Sequence, residues 1–173
     1  AIGYTALGTE DAGGRNVAIG FEALAAQNPA GANGYNAALG YQTGAALTTG
    51  LYNVGLGARS LGGNTLRGDG NIGVGYKSGY NLSDGSDNVA IGHQALMNED
   101  SYGQNVAIGS EALETLNAGA NGNNVAVGFQ AGHLMSTATD NVLVGAFAGD
   151  ALTTGPYNVA IGRSALSLED AYG

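Results

Sequence analysis

His93 and His133 are the only histidines in the chain, and no cysteine accompanies them. An imidazole can ligate a transition metal or move a proton near neutral pH. Either task needs a carboxylate, a second imidazole or a thiolate within reach. In the repeat described below, the two histidines fall at different positions two copies apart, with no carboxylate or cysteine column beside them. They are therefore expected to pack or to be solvated. Acids recur elsewhere, at Glu10-Asp11, Asp84 and Asp87, Glu99-Asp100, and Glu169-Asp170. Converging carboxylates can hold Ca2+, although neither the EF-hand spacing nor the Gly-Gly-x-Gly-x-Asp repeat occurs. No cofactor is expected, and Ca2+ is the one ion left open. Gly73-Val74-Gly75-Tyr76-Lys77-Ser78-Gly79 has the look of a phosphate-cradling loop. Its glycines are positions of the repeat, however, and the strand-to-helix context such a loop needs is missing. No acid–base constellation recurs in adjacent copies, so no enzyme is expected.

The elements that must position these residues come from a repeat that fills the chain. Asn-Val-Ala-Ile-Gly, with conservative changes, begins at Asn16, Asn36, Asn53, Asn71, Asn88, Asn105, Asn124, Asn141 and Asn158, spaced by 20, 17, 18, 17, 17, 19, 17 and 17 residues. Ala1-Ile2-Gly3 is the tail of a tenth copy, and Gly173 stops one residue short of the next asparagine. Residues 1–173 are thus expected to be one repeat array, excised from a longer fibre. Composition agrees with a rigid array. Of 173 residues 32 are glycine, far from the one-third of collagen, and 44% hydrophobic against 11% charged argues against disorder. No run of about 18 apolar residues is present, so no membrane insertion is expected. A net charge of −9 makes nucleic acid a poor partner.

Numbering each copy from its asparagine gives every position a physical reading. Positions 2 and 4, such as Val17 and Ile19 or Val89 and Ile91, are apolar and mostly β-branched, which predicts a short half-buried strand. Position 3 is Ala or Gly except at Leu143, and position 8 is always small, from Ala6 to Ala165. These two small columns are expected to form a smooth stripe against which other rods pack. Seventeen residues cannot hold two helices and a turn, and a glycine in every turn would cost a helix about 1 kcal/mol each. The expected fold is all-β: a parallel β-solenoid of about ten 17-residue coils, roughly 45–50 Å long at the strand spacing of about 4.8 Å.

An exchange inside the repeat points to a filled interior. Position 9 is Leu at Leu7, Leu24, Leu61, Leu96, Leu113 and Leu166, and Gly at Gly44, Gly79, Gly132 and Gly149. The glycine copies carry Leu47, Leu82, Met135 or Leu152 at position 12. The leucine copies carry Glu10, Gln27, Asn64, Glu99 or Glu169 there, with Leu116 the exception. A constant core volume per coil demands such an exchange.

The asparagine column reads as a corner ladder in which each amide donates and accepts along the stack. The glycines at position 5, Gly20, Gly40, Gly57, Gly75, Gly92, Gly109, Gly128, Gly145 and Gly162, preceded by Gly3, read as bends with positive φ or close backbone approach. Tyr4, Phe21, Tyr41, Tyr76 and Phe129 at position 6 are expected to pack against the next coil or a neighbouring subunit. Two longer turns, Asn28–Tyr35 and Asn117–Asn123, share Gly-Ala-Asn-Gly. Insertions in solenoids often project from the binding face, which makes Asn33, Tyr35, Asn121 and Asn123 candidate partner contacts.

Asn-Val-Ala-Ile-Gly-x-x-Ala-Leu, clearest at Asn16–Leu24, Asn88–Leu96, Asn105–Leu113 and Asn158–Leu166, resembles the YadA-like head repeats of trimeric autotransporter adhesins. It is also similar to repeats of phage tail-fibre-type proteins that carry an endosialidase-type chaperone, and the Ala-Leu ending is nearer to those. The collagen-associated adhesin form has a serine after the asparagine, which this chain lacks. The resemblance implies a trimeric, left-handed parallel β-roll, extracellular on a bacterial or virion surface. It also implies adhesion to a host-surface glycan or matrix protein. A tail-fibre shaft or receptor-binding segment is the alternative. An ice-binding solenoid, from another class, would need an outward threonine column, whereas Thr48-Thr49 and Thr153-Thr154 recur in only two copies.

Overall fold

The computed structural model describes residues 1–9, 14–28, 33–99 and 101–167. Nine strands, each three residues long, begin at the residue after an asparagine: β1 Val17–Ile19, β2 Ala37–Leu39, β3 Val54–Leu56, β4 Ile72–Val74, β5 Val89–Ile91, β6 Val106–Ile108, β7 Val125–Val127, β8 Val142–Val144 and β9 Val159–Ile161. They form one parallel sheet in sequence order, position on position, as in Val89↔Val106 and Ile91↔Ile108. The chain is an all-β parallel solenoid with eight complete turns between its nine strands. That is slightly fewer than the ten coils counted from the motif. The first copy enters the sheet through the Ile2↔Ile19 bridge rather than a strand, and β9 is the last strand among the described residues.

The sides of the strand are the reverse of the sequence expectation. Ala18, Ala38, Ala90, Ala107, Ala126 and Ala160 at position 3 are buried, as are Ala23, Ala95, Ala112, Ala131 and Ala148 at position 8. Position 2 and 4 side chains point outward, with Val17 55% and Val54 41% exposed. The small columns are therefore core rather than a docking stripe. The coil is thin, and its interior already holds the position 9 leucine, so the facing strand has room for little more than a methyl group.

Conformation joins packing at position 9. Each leucine there has φ between 50° and 55°, and each glycine between 56° and 62°. Left-handed backbone costs a leucine about 1–2 kcal/mol, and burial of the side chain returns about 1.5–3 kcal/mol. Leucine is thus tolerated where it fills the core. Where a neighbouring side chain fills the space, glycine stands instead. A Cβ on Gly149 would lie 2.9 Å from Leu143 Cδ1, and one on Gly132 would lie 2.8 Å from Leu113 Cδ2 and Met135 Sδ. Leu143, the odd large residue at position 3, occupies the room between these two glycines.

Position 12 also points inward at two of its polar residues, while Glu10 and Glu169 lie outside the described residues. Gln27 and Glu99 are fully buried. Gln27 Oε1 accepts from Asn36 Nδ2 at 3.0 Å, and Glu99 Oε2 accepts from the Ala118 N–H at 3.2 Å. The 18-residue copy departs from the exchange. Its Asn64 is exposed, and the insertion moves the core residue to Leu66, which is buried and bridges in parallel to Leu47.

The exchange can be tested as a pair. Gly149→Leu alone should overpack and destabilise by about 1–3 kcal/mol, and Leu143→Ala alone should cost about 2–5 kcal/mol through a cavity. Together they recreate the Ala107, Leu113, Leu116 pattern of an existing coil. Denaturant titration of the four proteins should show a favourable coupling of at least about 1 kcal/mol. Simple additivity would contradict the shared volume.

Candidate functional site

The asparagine corner is continuous along the rod. Each backbone N–H donates to the side-chain Oδ1 of the asparagine one coil earlier, from Asn36 on Asn16 through Asn53, Asn71, Asn88, Asn105, Asn124 and Asn141 to Asn158, at 2.7–3.2 Å. The Nδ2 groups of Asn36, Asn53, Asn71 and Asn124 donate to bend carbonyls of Gly50, Gly68, Gly85 and Ala138 at 2.8–3.0 Å. Asn36 through Asn158 are all buried. The amides act as internal backbone partners, so the row offers little to a ligand. The residue before each asparagine sits at φ 49–70°, which turns the chain into the corner.

The position 5 glycines Gly3, Gly20, Gly40, Gly57, Gly75, Gly92, Gly109, Gly128, Gly145 and Gly162 have φ between 121° and 140°. This region is essentially closed to side-chain-bearing residues. From Gly3 to Gly145 space forbids a side chain as well, since a Cβ on Gly57 would lie 2.8 Å from the Gly75 carbonyl oxygen and one on Gly75 2.5 Å from that of Gly92, whereas at Gly162 nothing lies within 4 Å.

Outside these corners, like residues meet like. Tyr4, Phe21 and Tyr41 form a stack with centroids 5.4 Å apart at each step, and Tyr76 stacks on His93 at 5.6 Å. The rings pack along the rod while keeping an exposed edge, Tyr41 at 47%. At position 7, Gln42 Nε2 donates to Glu22 Oε2 at 2.7 Å, and Arg59 Nε donates to Gln42 Oε1 at 3.1 Å. Gly73–Gly79 runs along β4 into the following bend, and Ser78 is buried with its Oγ 3.0 Å from Ser60 Oγ. Lys77 Nζ lies over the rings of Tyr76 and Tyr80 at 5.6 and 5.1 Å. That segment is ordinary coil.

The candidate partner residues lie on the longer turns and are exposed. Tyr35 stacks on Tyr52 at 5.3 Å and accepts from Arg15 Nη1 through its hydroxyl at 2.6 Å. Asn123 Nδ2 donates to Asp140 Oδ1 at 3.1 Å, and Asn121 Oδ1 accepts from the Gly103 N–H at 3.4 Å. Asn33 is exposed beside the undescribed residues 29–32.

Of the acids weighed for Ca2+, Glu10, Asp11, Asp100, Glu169 and Asp170 lie outside the described residues. Asp84 forms a two-pronged pair with Arg67, at 2.7 and 2.9 Å. Those hydrogen bonds hold its carboxyl below the usual carboxylate range. The pair's stabilisation is therefore present above the ordinary carboxylate pKa and lost as pH falls through the lowered one. Exposure of both partners keeps it small. Asp87 turns the corner before Asn88 with φ 59°.

His133 has carboxylates beside it, contrary to the reading from separate columns. Among the described residues, Glu111, Glu114 and His133 place one ligating atom each within 4.8 Å of the others. The missed signal was position 10 read down consecutive copies: Glu114, His133, Asp150. Glu111, at position 7, joins them because the tight bend brings position 7 close to position 10.

Comparison with protein-family models, curated proteins and solved structures finds no match.

Removing one rung of the ladder should damage the fold. Asn88→Ala takes the acceptor from the Asn105 N–H and the donor from the Tyr102 carbonyl. A loss of about 1–3 kcal/mol is expected, read as a lower denaturation midpoint. Gly92→Ala should also lower it, and a wild-type midpoint in either protein would contradict the corner geometry.

Proposed function

We propose that the chain is a structural and adhesive segment of a surface-exposed trimeric fibre that attaches by rigid multivalent display. The observation that carries this reading is the outer face of the sheet. Parallel sheets are found almost always with both faces covered. Here the inner face covers the core, while the outer face carries Val54, Leu56, Leu39 and Ile72 in view of solvent. A contiguous apolar face of this kind marks an interaction surface. A second and third copy of the rod would cover it along its whole length, because the same residue types recur at each step. The motif's resemblance to trimeric adhesin and tail-fibre repeats supports three-fold assembly on a bacterial or virion surface.

Adhesion in this reading comes from the exposed aromatic edges and the longer turns, displayed at fixed intervals on three parallel rods. Each contact with a host-surface glycan or matrix protein is weak, and simultaneous engagement multiplies them. No chemical step is involved.

Sedimentation equilibrium should give three copies per particle. Val54→Lys with Leu56→Lys should yield monomers that keep the wild-type circular dichroism spectrum, because both side chains point away from the core. On a glycan and matrix-protein array, the wild-type protein should bind at least one class of target and the monomeric variant should lose most of that signal. A wild-type monomer would overturn the fibre reading, and equal binding by the monomeric variant would overturn the multivalent mechanism.

A further inference from the structure

We propose that Glu111, Glu114 and His133 form a site for one divalent transition-metal ion, of which Zn2+ is the type. The site has no part in the assembly argument and stands or falls separately from it.

The geometry comes from stacking. Glu114 and His133 occupy the same position of consecutive coils, and their backbones are tied into the solenoid. The Glu114 carbonyl accepts from the Asn98 N–H at 3.2 Å, and the His133 carbonyl accepts from Thr115 Oγ1 at 2.6 Å. Glu111 is oriented by Gln130, whose Nε2 donates to its Oε2 at 2.6 Å. That bond leaves the other carboxylate oxygen available. His133 Nδ1 is closed off from solvent and makes no hydrogen bond, although Glu114 Oε2 is 3.3 Å away. A nitrogen and an oxygen bound to one tetrahedral zinc, with bonds of about 2.0–2.1 Å, stand about 3.3–3.4 Å apart. The observed separation matches that edge, and the contact lacks the alignment of a hydrogen bond.

Two further observations point to a cation. Asp150, next in the same column, also buries an Oδ1 that has no hydrogen bond. In addition, the sequence holds no lysine or arginine between Lys77 and Arg163. The carboxylates of these coils therefore have no basic side chain of their own segment to balance them. Two carboxylates and a neutral imidazole suit zinc, and more generally the later divalent transition metals, better than Ca2+, which takes six to eight oxygens. Glu111, Glu114 and His133 are all half-buried. Such an ion would clip two adjacent coils together across a bend that has only short strands to hold it.

The test is titration of chelator-stripped protein with ZnCl2 by calorimetry, with thermal melts in parallel. One ion per chain and a raised melting temperature are expected. Glu114→Gln and His133→Gln should each weaken binding by at least about 10-fold and abolish the thermal shift, whereas His93→Gln should keep both. Because a variant can fail to fold, the unaltered protein provides a second readout. Its two histidines give two sets of imidazole nitrogen resonances, assigned with His93→Gln, and Zn2+ should shift the Nδ1 signal of His133 alone. Absence of saturable binding, equal affinity in His133→Gln, or a shift confined to His93 would each overturn the site.

Discussion

Parallel backbone hydrogen bonding at a spacing of about 4.8 Å is the constraint on which the rest of this structure depends. It sets residue n of one coil directly over its counterpart in the next, as in the register of β5 on β6. Any side chain that repeats must therefore tolerate, or profit from, its own copy at that distance. Asparagine profits, because its amide accepts from the backbone above and donates to the bend beside it. Planar rings profit by stacking, as Tyr4, Phe21 and Tyr41 do. Glycine at position 5 is required from Gly3 to Gly145, because carbonyl oxygens of the next coil occupy the space a Cβ would need. Unlike side chains can profit too, since Gln42 bridges Glu22 and Arg59 and Gln130 donates to Glu111.

The same spacing leaves a narrow interior, and the sequence satisfies it by local exchange. Every coil carries left-handed backbone at positions 7 and 9 and before the asparagine. A leucine at such a site is close to neutral on its own, since strain of about 1–2 kcal/mol offsets most of what its burial returns. Small differences in available volume can therefore decide between leucine and glycine. Leu143 shows the coupling most clearly, since it is large only where both Gly132 and Gly149 stand aside. Stability is distributed over many such small terms, each shared with the coil above or below, as expected for a quasi-one-dimensional repeat protein.

Much of the fold was legible because a repeat writes its register into the spacing of its asparagines and glycines. Strand positions, parallel order and the absence of helices among the described residues follow directly from that spacing. What was not legible was the side of the strand. Alternation in Val-Ala-Ile says that two faces differ, and hydrophobicity alone assigns the larger residues to the interior. The opposite holds because volume, not polarity, is limiting in so thin a coil: position 3 is Ala107 where Leu113 fills the interior, and is large, as Leu143, beside Gly132 and Gly149. The shift of a core leucine to Leu66 was hidden for a related reason, since an insertion displaces the column while the spatial position stays fixed. The carboxylates around His133 were missed because ligands contributed by neighbouring coils are some 20 residues apart in sequence. They come together only when a column is read down the stack.

Reversal of the strand's faces changes what the surface has to explain. If the alanine columns had faced outward, the rod would present a smooth surface with little apolar area, and association with other rods would be optional. With alanine inside, the outward β-branched columns have no covering layer among the described residues, and β-branched residues on a parallel strand gain their packing from such a layer. The aromatic edges at position 6 begin just past the glycine bend, where the apolar face ends. A rod built this way separates its tasks around the circumference. Asparagine and glycine columns hold the corners, leucine and alanine fill the interior, and valine and isoleucine face outward. The longer turns and aromatic edges lie outside those columns, so their residue types can differ from coil to coil while the register of the scaffold stays the same.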